Sequence, residues 1–420
     1  MGLVLGSVVF YYRTEILAYS QTPRFTNQYI GINGLYNTDN LPEDIYYQIS
    51  YGLTSLDTDD KPQPSPLIDS IVSQNDNKDF IVTLKPNFYW HDSKKFTNTD
   101  LPYKFDGITI TPIGNNQVKF SSDAPFAPIY TLLSQPLLKK NLVGLGPYKV
   151  TSISYQDGYI KTLTLRNIKN QEPNIVYRFY SNEKDLINAF KLGEVDQIEI
   201  SSLPAELTNW PKTELTQKIM TGNKYLAVFL NNSRLGSKQL RQALAYATPK
   251  SRDKNERSIG PISPGSWAYN PDVKPYEYNP EKAKELFDKN PVSSLTINII
   301  DRNLLPIAES IRDSWKQVLN IDTKVVISNQ FDTQNYDAIL AYGGIPHDPD
   351  QYTFWHSTQT KTNLTQINNS RIDKLLEEGR LTFDPIERKR IYFDFQKYLL
   401  EESPAIFISY PTTYTVTRVK

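Results

Sequence analysis

The side chains best suited to chemistry are concentrated in residues 341–357, whose sequence is AYGGIPHDPDQYTFWHS. This loop holds His347 and His356, two of the three histidines in the chain, beside the carboxylates of Asp348 and Asp350. Imidazole and carboxylate groups that converge on one point could hold a metal ion or serve as acid and base in hydrolysis. Their spacing fits no HExxH or comparable motif. We therefore predict no catalytic residue and no metal ligand, and we keep a hydrolase or metal-dependent enzyme that uses this loop as an alternative.

The same loop could bind a ligand without transforming it. It follows a predicted strand, and loops at the carboxyl ends of strands are common ligand sites in α/β proteins. It combines aromatic rings with a Gly-Gly pair, so ring faces and backbone groups would make most of the contacts. The predicted ligand-binding residues of this loop are Tyr342, Gly343, Gly344, Ile345, His347 and Asp348.

Four further residues complete the predicted ligand-binding set. Trp267 and Tyr269 lie in a loop punctuated by Pro and Gly at residues 260–269. They either line the same groove or cover an apolar edge, and the sequence favours neither interpretation. Asn231, which ends an apolar run, and Tyr36, in a turn-rich stretch near the start of the fold, are the other two.

The composition excludes several functions. A chain of 420 residues is too long for one ordinary core and implies two or three lobes. Lys plus Arg and Asp plus Glu both number 46, so the chain has no net charge that would recruit nucleic acid. The absence of cysteine excludes disulfides, thiol catalysis, Cys-ligated metals and a lipoprotein cysteine.

Alternating strand and helix patterns predict an α/β fold. Residues 225–230 form an apolar run typical of a buried strand, and residues 237–247 follow with apolar side chains at helical spacing. Ser237 is placed to cap that helix, and Asn279 is placed to cap a second helix that starts at Pro280.

Several motifs occur in an order that is more specific than any one of them. Residues 241–244 read RQAL, residues 278–284 read YNPEKAK, residues 144–148 read GLGPY, and residues 348–350 read DPD. Residues 84–100 add a Trp-His-Asp stretch. Together these motifs resemble those of the extracellular solute-binding proteins of family 5, which are the oligopeptide-, dipeptide- and nickel-binding proteins of ABC transporters.

The resemblance implies an α/β, two-lobed fold like that of the periplasmic binding proteins (type II, cluster C-like), with a trimmed extra subdomain in the first lobe. Lobe I would comprise residues 20–220 and 405–420, including the subdomain at about 41–139. Lobe II would comprise residues 222–404.

The resemblance also implies the function. It predicts an extracytoplasmic monomer that captures a peptide or other small-molecule ligand between two lobes for the permease of an ABC transporter. No cofactor, enzymatic activity or nucleic-acid partner is expected. A surface binding protein that kept the fold but lost transport is a second alternative.

The resemblance places one residue out of pattern. In the family, an acidic residue upstream of the Asp-Pro-Asp motif takes the α-ammonium group of a bound peptide. Aligning residues 348–350 with that motif puts Ile345 at the acidic position. A buried ammonium without a charged partner is costly. Either Asp348 substitutes for the missing acid, or the ligand differs.

The amino-terminal segment 1–19 is set apart from the fold. Residues 3–12 are apolar, whereas a bilayer span needs about 20 residues. A basic start and a clear cleavage site, which mark a signal peptide, are missing. The segment is the remnant of an export signal or membrane anchor, or else a buried strand. We favour the remnant because the family is exported.

Overall fold

The computed structural model describes residues 27–57, 60–251, 253–328 and 336–419, so the predicted segment 1–19 lies outside the described residues. The strands are β1 Gln28–Asn33, β2 Thr54–Leu56, β3 Pro62–Pro64, β4 Ile68–Gln74, β5 Asp79–Leu84, β6 Ile108–Ile113, β7 Gln117–Ser122, β8 Tyr148–Gln156, β9 Tyr159–Asn167, β10 Ile175–Tyr180, β11 Gln197–Ile200, β12 Thr213–Ile219, β13 Lys224–Leu230, β14 Ser294–Ile299, β15 Asp322–Ile327, β16 Ala338–Gly344, β17 Ala405–Ser409 and β18 Thr412–Arg418. The α-helices are α1 Glu43–Ile49, α2 Ile129–Leu132, α3 Glu183–Leu192, α4 Ala205–Thr208, α5 Lys238–Ala247, α6 Pro280–Phe287, α7 Leu305–Leu319, α8 Tyr352–Trp355, α9 Ser370–Leu381 and α10 Pro385–Glu402.

A seven-stranded sheet forms the base of the first lobe, in the order β12-β18-β11-β1-β10-β9-β8. Its central strand β1 runs parallel to both β10 and β11. Helix α3 packs against it through the buried Leu186 and Phe190 and ends at Gly193, whose φ of 77° makes it a left-handed cap. A methyl group on Gly31 of β1 would collide with Leu186, so glycine at this position lets the helix approach the sheet.

A five-stranded sheet forms the second lobe, in the order β15-β14-β16-β13-β17. Its apolar strand β13 is buried on both faces, as the run at residues 225–230 predicts. Helices α5, α6 and α7 share a core cluster on one side, and α9 and α10 share another on the opposite side. The predicted caps are confirmed: Ser237 accepts the N–H of Leu240 at 3.3 Å, and Asn279 accepts that of Lys282 at 2.9 Å.

A small subdomain extends the first lobe. It contains an antiparallel sheet in the order β4-β5-β7-β6 and the two-stranded ribbon β2-β3. Its core is aromatic, with Trp90 packed edge-on against Phe96 at a centroid distance of 5.5 Å and with Phe80 and Phe120 buried nearby. These elements lie within residues 41–139, where the sequence predicts a subdomain.

Two short crossovers join the sheets: residues 220–223 lead from β12 to β13, and residues 410–411 lead from β17 to β18. The N–H of Met220 donates to the carbonyl of Pro411 at 2.8 Å and ties the crossovers together. One predicted boundary is corrected here, because β17 pairs with β13 and thus belongs to the second sheet. We propose that the second lobe extends to about residue 409 and that only β18 returns to the first lobe.

Candidate functional site

The candidate site lies at one edge of each sheet, next to the crossovers. In the first lobe, β1, β10 and β11 are parallel, and β12 runs with them into the first crossover. In the second lobe, β14 is parallel to β16, and the end of β16 at Gly344 pairs with the start of β13 at Lys224. The carboxyl ends of the parallel strands of both lobes therefore meet the same hinge. This edge is where open α/β sheets bind ligands.

Tyr342 is the most accessible aromatic ring at this edge of the second lobe. Its side chain is 38% exposed, and Nζ of Lys224 lies 4.6 Å from the ring centroid. Burial and the nearby Asp301 carboxylate raise the pKa of the Tyr342 hydroxyl above its ordinary value. Thus Tyr342, Lys224 and Asp301 lie together, although they come from three different strand ends.

The Gly-Gly pair contributes backbone rather than side chains. A methyl group on Gly343 would collide with the buried ring of Tyr225, whereas the nearest atom to a methyl group on Gly344 would be Cζ of Phe354 at 3.9 Å. Ile345 donates its N–H to the carbonyl of Asn223 at 2.9 Å, and its side chain packs against a core cluster of the second lobe. Ile345 therefore offers neither a charge nor a free N–H to a ligand.

His347 makes contacts to the first lobe. Its Nδ1 lies 2.8 Å from Oδ1 of Asp60, and its Nε2 lies 3.6 Å from Oε1 of Glu43. The carboxylates of Glu43 and Asp60 raise the pKa of His347 to about 9 against the opposing effect of burial. His347 is therefore protonated at neutral pH and connects the two lobes.

The two carboxylates of the Asp-Pro-Asp motif are engaged inside the second lobe. Asp348 receives two hydrogen bonds from the guanidinium of Arg388, at 2.6 and 2.9 Å, and both side chains are nearly buried. Asp350 receives one from Nε of Arg380 at 2.8 Å, and burial raises its pKa. Both oxygens of Asp348 are thus engaged by the Arg388 guanidinium, and a ligand contact by Asp348 stays a prediction.

Asn231, also predicted as a ligand contact, is fully buried. Its side-chain amide donates to the carbonyl of Tyr336 at 2.9 Å, and its side-chain oxygen accepts the N–H of Ser233 at 3.0 Å. It holds the turn after β13, which is why an asparagine ends the apolar run. This structural role argues against a ligand contact by Asn231, which stays an untested prediction.

The other predicted rings occupy two different places. Trp267 packs edge-on against Tyr392 at 6.3 Å, and both it and Tyr269 pack partly buried against the same core cluster. This geometry fits the interpretation that they cover an apolar surface. Tyr36 lies three residues beyond β1, packs on Phe179 at a centroid distance of 5.4 Å and is half-buried at the first lobe's edge. Its role as a ligand contact stays a prediction.

The lobes also touch away from the hinge. The N–H of Ala127 donates to the carbonyl of Arg380 at 2.7 Å, and the ring of Phe80 stacks on Phe383 at 5.9 Å. A cavity of about 800 Å³ lies beside these contacts, between the subdomain and helices α8 and α9. These contacts, together with the His347 pair, describe a conformation in which the lobes are closed on each other.

Four charged residues near Tyr342 and His347 were not predicted from the sequence: Lys224, Asp301, Asp60 and Glu43. Lys224 and Asp301 have a recognisable signal, because Lys224 begins β13 and Asp301 comes two residues after β14. Asp60 and Glu43 have none, because only the closed arrangement of the lobes brings them to His347.

The fold and the site define a class: a two-lobed binding protein of the type II periplasmic class, hinged at two crossovers. The chain belongs to the bacterial extracellular solute-binding proteins, family 5, whose model for the middle region matches residues 63–365. It is a solute-binding protein, and the predicted family and fold are confirmed.

Known proteins of this kind are similar over most of their length. The oligopeptide-binding protein AppA of Bacillus subtilis is 23% identical, over 91% of this chain and 84% of that protein. The structure of NikZ from Campylobacter jejuni, solved with Ni(L-His), superposes with a TM-score of 0.78 at 22% identity and covers 93% of this chain and 94% of that one. AppA solved with a nonapeptide gives a TM-score of 0.74 at 20% identity, with the same coverage.

The described residues offer no candidate for a metal site or for a membrane-spanning helix. Within residues 27–57, 60–251, 253–328 and 336–419, no group of three or more His, Cys, Asp or Glu side chains is arranged to hold a metal ion. In the same part of the chain, no helix combines the length and the apolar character needed to cross a bilayer.

Proposed function

We propose that this protein binds a peptide-like ligand between its lobes and delivers it to the permease of an ABC transporter. The observation that carries the proposal is the meeting of the carboxyl strand ends of both sheets at one hinge, with the ring of Tyr342 exposed near the end of β16. The family and the names of the relatives, which include oligopeptide- and dipeptide-binding proteins, support a peptide as the ligand class.

Closure would couple ligand binding to transport. The lobes are joined by two short segments, so a change of backbone angles at residues 220–223 and 410–411 suffices to separate them. A ligand that contacts both lobes favours the closed form by its differential affinity for that form. The interlobe pair of His347 and Asp60 would add to the stability of that form, which the permease would then recognise.

We propose that loop 341–357 binds rather than catalyses. Asp348 is committed to Arg388, and His347 is committed to Asp60 and Glu43. A nucleophile or general base must be able to reach its substrate, and these pairs leave neither side chain available in the closed form.

The protein would act outside the cytoplasm, which the extracellular family supports, and it would act there as a monomer. Attachment to a membrane would depend on the amino-terminal segment 1–19, which lies outside the described residues. Tryptic release from intact cells of the producing organism, compared with total lysate, tests this placement.

The ligand class is tested by native purification of the whole chain, followed by mass spectrometry of the released ligand and a thermal-shift measurement. A peptide present at about 100 times its Kd should add roughly 2.7 kcal/mol of stability. Recovered peptides that stabilise the protein support the proposal. A recovered non-peptide ligand, or no shift with peptide pools, overturns the peptide assignment.

A further inference from the structure

Ile345 brings no charge to the binding loop, and the charged side chains of that loop are already paired. Asp348 holds Arg388, Asp350 holds Arg380, and His347 holds Asp60. A peptide with a free amino terminus would bring an ammonium group into this cleft, where an unpaired charge is costly. If the ligand carries such a group, its partner must come from another element.

The carboxylate of Asp301 is the candidate partner for such an ammonium group. It follows β14, the strand that lies beside β16 in parallel register, with Ile299 opposite Leu340. The ladder ends at that pair, and Asp301 comes two residues after Ile299, as Tyr342 comes two residues after Leu340. Its carboxylate is close enough to act on the Tyr342 hydroxyl. One of its oxygens accepts the N–H of Asn303 at 2.9 Å, which fixes the side chain without neutralising it.

Lys224 supplies the opposite charge on the neighbouring strand. It opens β13, pairs with Gly344 and is exposed, with its ammonium group over the face of the Tyr342 ring. Within the described parts of the chain, neither Lys224 nor Asp301 has an oppositely charged side chain within 4.0 Å. The edge of the second lobe thus carries an acidic and a basic side chain that do not form an ion pair with each other, and the exposed ring of Tyr342 lies between their strands.

We propose that Asp301 and Lys224 are the specificity-determining pair of the cleft, and that they bind the amino and carboxyl termini of a short peptide whose ends are both free. Tyr342 packs against the peptide between them. This inference rests on the proposed function and names the residues that supply the charges for which the loop 341–357 has no free side chain. The inference also predicts a short peptide, because Asp301 and Lys224 lie at the same edge of one sheet and must reach both ends of the peptide.

The test uses the whole chain, freed of co-purified ligand, and measures affinity by calorimetry for mixtures of alanine di-, tri- and tetrapeptides with free, N-acetylated or C-amidated ends. A hydrogen bond to a charged group is worth enough that its loss weakens binding by about tenfold or more. Acetylation should therefore weaken binding to the wild-type protein but not further weaken binding to Asp301→Asn. C-terminal amidation should likewise weaken binding to the wild-type protein but not further weaken binding to Lys224→Gln. Asparagine can still cap residue 303, so folding should be preserved.

Matched controls stand on the same sheet, away from the cleft. Asp322 and Lys324 lie on β15, and Asp322 is at its amino end, the edge opposite to Asp301. Asp322→Asn and Lys324→Gln should leave affinity unchanged. Equal binding of free and acetylated peptides by the wild type, or an unchanged affinity of Asp301→Asn, overturns this inference and leaves the proposed function standing. Failure of all free peptides to bind the wild type overturns both.

Discussion

Nδ1 of His347 lies 2.8 Å from Oδ1 of Asp60, although the two residues belong to different lobes and are 287 positions apart. The second nitrogen of the ring points to Glu43 at 3.6 Å, so one imidazole faces two carboxylates of the first lobe. A protonated ring satisfies both, because both nitrogens are then donors. The closed form is therefore linked to the uptake of a proton.

Opening of the lobes should follow the titration of this histidine. The pKa of His347 rises from an ordinary 6.5 to about 9 in the closed form. A raised pKa stabilises the closed form fully below 6.5, and the stabilisation is lost as the pH rises through about 9. We expect the radius of gyration of the ligand-free protein, measured by small-angle X-ray scattering, to increase between pH 7 and pH 10.

His347→Gln should remove most of that pH dependence and leave the protein more open at pH 7. Asp60→Asn and Glu43→Gln should both reduce the pH dependence, because the carboxylates of Glu43 and Asp60 both raise the pKa of His347. A His347→Gln protein as compact as the wild type at pH 7 would show that this pair does not hold the lobes together.

Local structure was predictable from the sequence because its causes are local. The caps Ser237 and Asn279 act within a few residues, and the helices that they start were found where predicted. The family motifs supplied the two-lobed fold. The sequence prediction assigned strand β17 to the first lobe, because an apolar strand fits either sheet. Its pairing with β13 assigns it to the sheet of the second lobe.

The site was less predictable because its contacts join distant parts of the chain. The loop 341–357 and the exposed ring of Tyr342 could be located. Asp348 pairs with Arg388, which is 40 positions away on α10, and no spacing rule connects them. Asp301 follows a strand end, but only the side-by-side arrangement of β14 and β16 brings it near Tyr342.

The two glycines of the loop should respond differently to alanine. A methyl group on Gly343 would overlap the buried ring of Tyr225, and overpacking a core costs about 1–3 kcal/mol. Gly344 has room for a methyl group. We expect Gly343→Ala to lower the free energy of unfolding in urea by that amount and Gly344→Ala to leave it nearly unchanged. Equal stabilities would mean that Tyr225 can move aside.

Tyr342 and Trp267 should separate binding from stability. The ring of Tyr342 is exposed at the candidate site. Tyr342→Ala should therefore weaken the binding of the recovered ligand by more than about 1 kcal/mol, as loss of an aromatic anchor does. Trp267 packs on Tyr392, so Trp267→Ala should lower stability by about 1–3 kcal/mol with little effect on affinity. Calorimetry measures the affinity of both variants, and thermal unfolding measures their stability. Lost affinity in Trp267→Ala and lost stability in Tyr342→Ala would show that Trp267 contacts the ligand and that Tyr342 supports the fold.

The pair of Asp348 and Arg388 should be the most costly of the loop's contacts to break. Both side chains are nearly buried, and Asp348→Ala would leave the Arg388 guanidinium without its counter-charge. Removing one partner of a buried pair costs about 3–5 kcal/mol, which denaturant unfolding would measure. The neighbouring pair of Glu387 and Arg390 on α10 is the matched control, because it is also hydrogen-bonded but exposed, so Glu387→Ala should not change stability measurably. A stable Asp348→Ala protein with lost ligand affinity would instead return Asp348 to the binding site.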